Sequence, residues 1–208
     1  MRTSTPPADD GETGTRTLRG LAAVGAAALS LGYLPMARWE RRMRATGGPG
    51  IVRLQLARDA EAARGILTTW GPDGRRAATE QTRADFLWMH TYALTGATLV
   101  ELARRRTAPG SGWARRGRTV RWMPYAAVAC DVVEGVGLLH TLGSGTTPDV
   151  RVVAVTRASA RTKYFLLLGA GVSALAAATL GSARAGQAGR ASDADAPPSS
   201  ASDAPRLL

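Results

Sequence analysis

Four blocks of apolar residues, separated by polar or arginine-rich segments, dominate the pattern along the chain. Each block has about the length that an α-helix needs to cross a bilayer core, roughly 20 residues. The blocks are residues 20–37, 86–103, 122–142 and 164–183. The first and the fourth contain no charged residue, whereas a helix of a soluble bundle needs a polar outer stripe. The pattern therefore predicts an all-α fold, a transmembrane helical bundle of about four spans.

The first and second blocks each carry an ambiguity. Residues 20–37 fit either a signal peptide or a first span, and the span is favoured because a long polar stretch precedes the block and no clear A-x-A site follows it. Pro35 predicts that this helix bends or stops near its end. The second block, 86–103, is the weakest because it contains His90 and Glu101.

Residues 38–84, between the first two spans, are predicted to lie outside the membrane. Within them, apolar residues recur at helical spacing over residues 51–70, with arginines on the other faces. This indicates an extramembrane amphipathic helix, ended by Gly71 and Pro72. Two roles fit the helix: packing on its own protein, or lying in the membrane interface with Trp70 as an anchor. The pattern favours a mixture of the two.

The two ends of the chain are polar and of low complexity. Residues 1–16 and 184–208 are rich in Pro, Ser, Asp and small residues, which predicts disordered tails flanking a membrane domain at 17–183. Before the last span, Thr147 and Pro148 indicate a helix start, with Thr147 as the cap. The last helix is thus expected to begin outside the membrane and run through it.

Arginine carries almost all of the positive charge of this chain, whose formal net charge is +11. The arginines flank the apolar blocks, which favours contact with anionic lipid headgroups over nucleic-acid binding. They do not settle the orientation, because basic residues divide almost equally between the two sides. The seven arginines of the short segment 104–121 favour a cytoplasmic loop in a protein of the bacterial inner membrane. Both termini would then lie on the cytoplasmic side.

Small residues repeat at intervals of four on two spans. Gly169, Ser173, Ala177 and Gly181 form one such face in the fourth span, and Ala22, Ala26 and Ser30 form another in the first. Such faces allow helices to approach closely. Contacts within the chain are the favoured interpretation, and a surface for a homo-oligomer or another membrane partner is the alternative.

Two carboxylates stand inside the third apolar block. Asp131 and Glu134 are three residues apart and so share one face of a helix. Each charged group near the bilayer centre costs about 2.5–3.5 kcal/mol on insertion scales, whereas each Val or Leu contributes only about 0.3–0.6 kcal/mol. The pair therefore predicts a basic or hydrogen-bonding partner, a protonated acid or a wet cavity.

The second block offers partners for the two acids. Its polar residues complete a candidate intramembrane polar cluster of Asp85, His90, Tyr92, Asp131 and Glu134, with Lys163 and Tyr164 at the start of the fourth span as further partners on paper. Such a cluster fits either a structural contact between helices or a proton relay or cation site. The structural role is favoured because few polar residues along the other spans mark a path.

Part of the chain resembles a known kind of protein. Trp70-Gly71, Asp85-Phe86-Leu87, Tyr92, Asp131 and Glu134 match a pattern found in small uncharacterised multi-pass membrane proteins of high-GC bacteria. The resemblance covers roughly residues 54–142. Gly135 replaces an Asn of that pattern, and any hydrogen bond of that Asn would be missing here. The resemblance implies a shared membrane architecture and supplies no activity.

No motif for catalysis, a cofactor or a metal is present in the sequence. The chain lacks a Gly-x-Ser-x-Gly elbow, a P-loop, an HExxH sequence and a dinucleotide fingerprint. A single cysteine, Cys130, excludes an intramolecular disulfide, and two histidines alone do not make a metal centre. The leading hypothesis is a non-enzymatic membrane protein without a cofactor, and the alternative is a small transporter or a proton- or cation-coupled component that uses Asp131 and Glu134.

Overall fold

A computed structural model describes residues 10–194, and the side chains of residues 13–180. Within residues 10–194 the regular structure is entirely helical. The helices are α1 (Asp10–Ala45), α2 (Ile51–Gln55), α3 (Ala60–Arg105), α4 (Gly112–Val120), α5 (Met123–Gly143) and α6 (Val150–Ala194). The predicted all-α class is confirmed.

Three helical segments are long and apolar enough to cross a membrane, judged by length and composition. They are Thr13–Ala45 in α1, Gly112–Gly143 across α4 and α5, and Val150–Leu180 in α6. These segments contain the first and third predicted blocks and residues 164–180 of the fourth. The second block, 86–103, lies in α3, which is not among the three.

Helices α1 and α3 run antiparallel and meet at glycines. Gly25 packs against the Thr95 side chain, and Gly32, further along α1, packs against Trp88, which comes earlier in α3. A Cβ at either glycine would clash with its neighbour. The contact face of α1 is therefore the glycine face. Ala26 lies on an exposed face of α1, so the predicted contact face through Ala22, Ala26 and Ser30 is wrong.

Helix α5 is antiparallel to both α3 and α6. Gly96 of α3 faces Pro124 near the start of α5, and Gly137 near the end of α5 faces Thr156 near the start of α6. In α6, Gly169 packs against Met123. The small-residue face predicted for the fourth span is thus a contact within the chain at Gly169.

The predicted amphipathic helix, residues 51–70, is two helices rather than one. The short helix α2 ends at Gln55, and α3 begins at Ala60 after the Asp59 side chain caps it by accepting from the Ala62 backbone N–H at 2.8 Å. This backbone hydrogen bond lowers the pKa of the Asp59 carboxyl. A capping acid favours a new helix start over continuation of the preceding helix.

The helical run α3 consists of two helices that meet at a kink at Gly71. Gly71 has φ +58°, a left-handed and non-helical conformation that suits glycine, so the first helix ends there as predicted. The second helix restarts at once and continues to Arg105. Pro72 suits this restart because proline is well tolerated in a first helical turn.

A hydrophobic core joins α2, the first half of α3 and neighbouring ends of α1, α5 and α6. Trp70 is only 1% exposed and donates from Nε1 to the Pro49 carbonyl at 2.7 Å, so its interpretation as an interfacial anchor is wrong. The helix packs on its own protein instead. The members of this core are Met43, Ile51, Leu54, Ala57, Ala63, Leu67, Trp70, Ala77, Ala78, Leu138, Leu142 and Val153.

The outer helices extend beyond their predicted limits. Helix α1 begins at Asp10 and continues through Pro35 to Ala45, so the helix does not stop at the proline. Helix α6 runs from Val150 to Ala194 and is capped by Asp149, which accepts from two backbone N–H groups, rather than by Thr147. Parts of both predicted tails are therefore helical, and their remainders, residues 1–9 and 195–208, lie outside the described residues.

Candidate functional site

Lys163 of α6 lies between the two carboxylates of α5. Its Nζ donates to Asp131 Oδ1 at 2.7 Å and lies 2.8 Å from Glu134 Oε2, which accepts no aligned hydrogen bond. All three residues are buried, with exposures of 3% for Asp131, 1% for Glu134 and 5% for Lys163. At these distances and this burial, separating the charges would be far more costly than at a protein surface.

Tyr92 adds a third helix to the ion pairs. Its hydroxyl donates to Asp131 Oδ2 at 2.6 Å, so both oxygens of Asp131 have a donor. A hydroxyl bound to a carboxylate is among the stronger protein hydrogen bonds. Tyr92, Asp131, Glu134 and Lys163 are called the charged cluster below. It connects α3, α5 and α6 by side-chain contacts.

The backbone of α5 allows the neighbouring helices to come this close. Gly135 follows Glu134 directly and lies under the ring of Phe86, and Gly137 lies under Thr156. The Asn of the resemblance pattern would not fit at position 135 without movement of the Phe86 ring, because a Cβ there would meet Phe86 Cζ at 2.8 Å. Helix packing thus explains the glycine at this position.

Tyr164 connects the charged cluster to the short helix α2. The Lys163 ammonium lies 5.0 Å from the centroid of the Tyr164 ring, within range of a cation–π interaction. The Tyr164 hydroxyl and the Gln55 side chain form a hydrogen bond of 3.0 Å, with Gln55 Oε1 as the acceptor. Gln55 lies at the end of α2, so this short helix reaches the level of the charged cluster.

A partly open cavity of about 330 Å³ lies against the charged cluster and is called the cavity below. Asp85 lines it together with Tyr92, Asp131 and Lys163, and no hydrogen bond or ion pair of the Asp85 carboxylate occurs within residues 13–180. The complete lining is Tyr33, Met36, Ile51, Val52, Gln55, Gln81, Thr82, Asp85, Trp88, Tyr92, Asp131, Leu138, Lys163, Tyr164 and Leu167.

The structure brings four of the five predicted cluster residues together. Tyr92, Asp131 and Glu134 belong to the charged cluster, and Asp85 lies across the cavity from it. His90 is exposed on the outer face of α3 and is not part of the site. Lys163 belongs to the centre of the site, although the sequence indicated it only as a further partner. The sequence carried one signal for this role, since Lys163 is the only lysine of the chain.

Metal binding has no support from the geometry of the described side chains. In the part of the chain searched, no group of three or more His, Cys, Asp or Glu side chains is placed to hold a metal ion. The acids of the site face an ammonium and a tyrosine hydroxyl instead. The arrangement can therefore hold helices together or balance charge within a cavity.

Replacing Tyr92 with Phe removes the hydroxyl donated to Asp131 and keeps the ring. We expect the free energy of unfolding to fall by about 1.5 kcal/mol, the lower end for a hydrogen bond to a charged group, because Tyr92 is only partly buried. Denaturant titration of the purified protein in detergent measures the change. Tyr125→Phe is the matched control, since Tyr125 is 43% exposed on α5. Equal effects of the two substitutions would show that the Tyr92–Asp131 bond adds nothing.

Comparison of the chain with protein-family models, curated proteins and solved structures found no match. The class of the protein therefore follows from its own helices: it is an all-α helical bundle with three helices of the length and composition of membrane spans.

Proposed function

We propose that this chain is a non-enzymatic, multi-pass protein of the bacterial inner membrane, with four spans held together by the charged cluster. The observation that carries this proposal is Lys163, buried between Asp131 and Glu134 at 2.7 and 2.8 Å. A lone carboxylate in a span is costly, and an ammonium supplied by a neighbouring span removes most of that cost only when the helices are assembled.

The surface of the bundle supports a location in lipid. Large apolar side chains are exposed on every long helix, which is unfavourable in water over so wide an area and favourable in a bilayer. Phe165 is 74% exposed, for example. The other exposed residues on α1, α5 and α6 include Leu21, Val24, Leu31, Leu34, Val132, Val133, Val136, Leu168, Val172 and Leu175.

Two observations support the second half of α3 as the remaining span. Leu87 is 80% exposed, and Leu94 and Leu99 are about half exposed, so the outer face of this segment is apolar. Glu101, which weakened the span in the sequence, accepts from Arg104 at 2.6 Å and also pairs with Arg105 at the helix end. Its charge is thus compensated where a helix end would meet the headgroups.

The arginine-rich segment between α3 and α5 supports contact with anionic headgroups. It contains the short helix α4, which Ser111 caps and which carries Arg115, Arg116 and Arg118. The start of α1 lies on the same side, because Gly14 packs near Arg105. We place this side in the cytoplasm, with both termini, since arginine-dense short loops are retained there.

The second candidate function is a small transporter or a proton- or cation-coupled membrane component. One specific observation favours it: the cavity is partly open and reaches Asp131 and Lys163. Water in such a cavity would give ions or protons access to a buried carboxylate. The structural role ranks higher because Asp131 already has two donors and Lys163 already pairs with both acids.

The double substitution Asp131→Asn with Glu134→Gln distinguishes the two functions. If the charged cluster is structural, the variant leaves the Lys163 ammonium buried without acids, and we expect a clear loss of stability in detergent. Proteoliposomes containing the unsubstituted protein are then expected to show no proton or cation flux above that of empty vesicles. Thermal unfolding and a fluorescent flux assay give the two results.

Glu61→Gln with Asp73→Asn is the matched control, because both of these acids are exposed and lie outside the charged cluster. The control is expected to keep the stability of the unsubstituted protein. A specific flux that disappears in the Asp131 and Glu134 variant, with its stability unchanged, would reject the structural role and establish the transport function.

A further inference from the structure

The cavity is short of positive charge. Asp131 and Glu134 share the single ammonium of Lys163, which leaves one formal negative charge, and Asp85 adds a second. Among the side chains of residues 13–180, no arginine or further lysine lines the cavity. Since the walls are mostly apolar, negative charge without a counter-charge is unfavourable there. The cavity therefore favours the binding of a positively charged group.

Asp85 is the carboxylate available for that group. Asp131 accepts from Tyr92 and Lys163, and Glu134 is paired with Lys163. Asp85 lines the same cavity with no hydrogen bond or ion pair inside the described side chains. Beside it in the lining, Gln81 has a buried Oε1 to which no protein group donates. Asp85 is thus the carboxylate of the cavity that is open to a donor.

Aromatic rings surround this part of the cavity. Tyr33, Trp88, Tyr92 and Tyr164 all belong to its lining. Aromatic faces attract organic cations, and an acid among several rings is typical of sites for substituted ammonium groups. Trp88 and Tyr92 pack edge to face, with ring centroids 6.2 Å apart, so two of these aromatic residues are direct neighbours.

The size and composition of the cavity favour an organic cation over a metal ion. Its volume of about 330 Å³ lies at the small end of the range for small-molecule pockets, roughly 300–1,000 Å³, and far exceeds the space of one ion. Ca²⁺ and Mg²⁺ need about six oxygen ligands, whereas Met36, Ile51, Val52, Leu138 and Leu167 make much of this lining apolar. Such walls suit alkyl or aromatic groups.

We propose that the cavity is a binding site for a small organic ammonium ion, whose nitrogen lies beside Asp85 among the aromatic rings and whose apolar part lies against Met36 and Leu138. Lys163 does not compete for Asp85, because Asp131 and Glu134 hold its ammonium. Asp85, on which the proposed site depends, is not a member of the charged cluster, although Tyr92, Asp131 and Lys163 line the same cavity.

The test uses the full chain in lipid nanodiscs and phenethyltrimethylammonium as the probe. Its control ligand is the neutral carbon isostere, in which a tert-butyl group replaces the trimethylammonium group. We expect saturable binding by isothermal titration calorimetry, about tenfold or more tighter for the ammonium than for the isostere, as a partly desolvated ion pair and cation–π contacts allow. Asp85→Asn is expected to weaken ammonium binding about tenfold or more while the melting temperature stays near that of the unsubstituted protein.

Asp73→Asn is the matched control, an identical change on the same helix at an exposed position. It is expected to leave binding unchanged. Equal affinity for the ammonium and the isostere would identify the cavity as an apolar pocket filled by lipid and overturn the proposal. Absence of binding, or binding that Asp85→Asn and Asp73→Asn reduce equally, would also overturn it. Binding of the neutral isostere separates a lost site from an altered fold, because Asp85→Asn is expected to weaken ammonium binding and leave isostere binding almost unchanged.

Discussion

Replacing Lys163 with Met is expected to destabilise the bundle by about 3–5 kcal/mol, the usual cost of removing one partner of a buried ion pair. Methionine has nearly the shape of lysine, so the packing of α6 changes little, whereas Asp131 and Glu134 lose their common ammonium. Both acids would then be buried without the counter-charge that α6 supplies. The free energy of unfolding, measured by denaturant titration in mixed micelles, gives the change.

Two further variants separate charge from packing in this prediction. Arg161→Met removes a positive charge from an exposed position of the same helix and is expected to change stability little. The triple variant Asp131→Asn, Glu134→Gln and Lys163→Met removes all of the charges together and is expected to recover much of the loss. A Lys163→Met variant as stable as the original protein would show that the ion pairs do not hold the helices together.

Replacing Trp70 with Ala is expected to cost about 3–5 kcal/mol, since a fully buried aromatic side chain is lost and a cavity remains. The ring is central to the hydrophobic core defined above, and its Nε1 donates to Pro49 at 2.7 Å. Trp70→Phe keeps part of the ring and loses this hydrogen bond, so an intermediate loss is expected. Thermal and chemical unfolding of both variants give the two values.

Trp122→Ala is the control for the loss of a tryptophan, because Trp122 is 59% exposed beside the start of α5. We expect it to change stability by about 1 kcal/mol or less. If Trp70→Ala were equally mild, Trp70 would have to be in contact with lipid rather than in a packed core. Its original interpretation as an interfacial anchor would then be correct.

The features with a strong local signal could be predicted from the sequence. The third predicted span, 122–142, corresponds to α5, Met123–Gly143, because a long and mostly apolar block between Pro124 and a glycine-rich turn indicates a helix by itself. The spacing of Asp131 and Glu134 also placed both acids on one helix face, and both are buried on that face. Local periodicity was sufficient for these conclusions.

The features that depend on competition between local signals or on distant contacts were missed. The helical spacing of apolar residues over 51–70 predicted one continuous helix. The chain forms two helices instead, because the Asp59 side chain caps a new helix start. The helix end at Gly71 was predicted, but the second helix that restarts directly after it was not. The exposure of His90, and the pairing of Lys163 with acids on α5, depend on how whole helices are rotated against each other. No local pattern specifies that rotation.

The position of Lys163 on the last helix has a consequence for the order of biosynthesis. The ribosome makes both acids of α5 before it makes their counter-ion on α6. Until α6 arrives, α5 carries two carboxylates that are unfavourable in lipid, at about 2.5–3.5 kcal/mol each on insertion scales. In the proposed membrane arrangement, the stable residence of α5 in the bilayer thus depends on completion of the chain. A truncated product without α6 is left with an acidic helix that has no counter-ion.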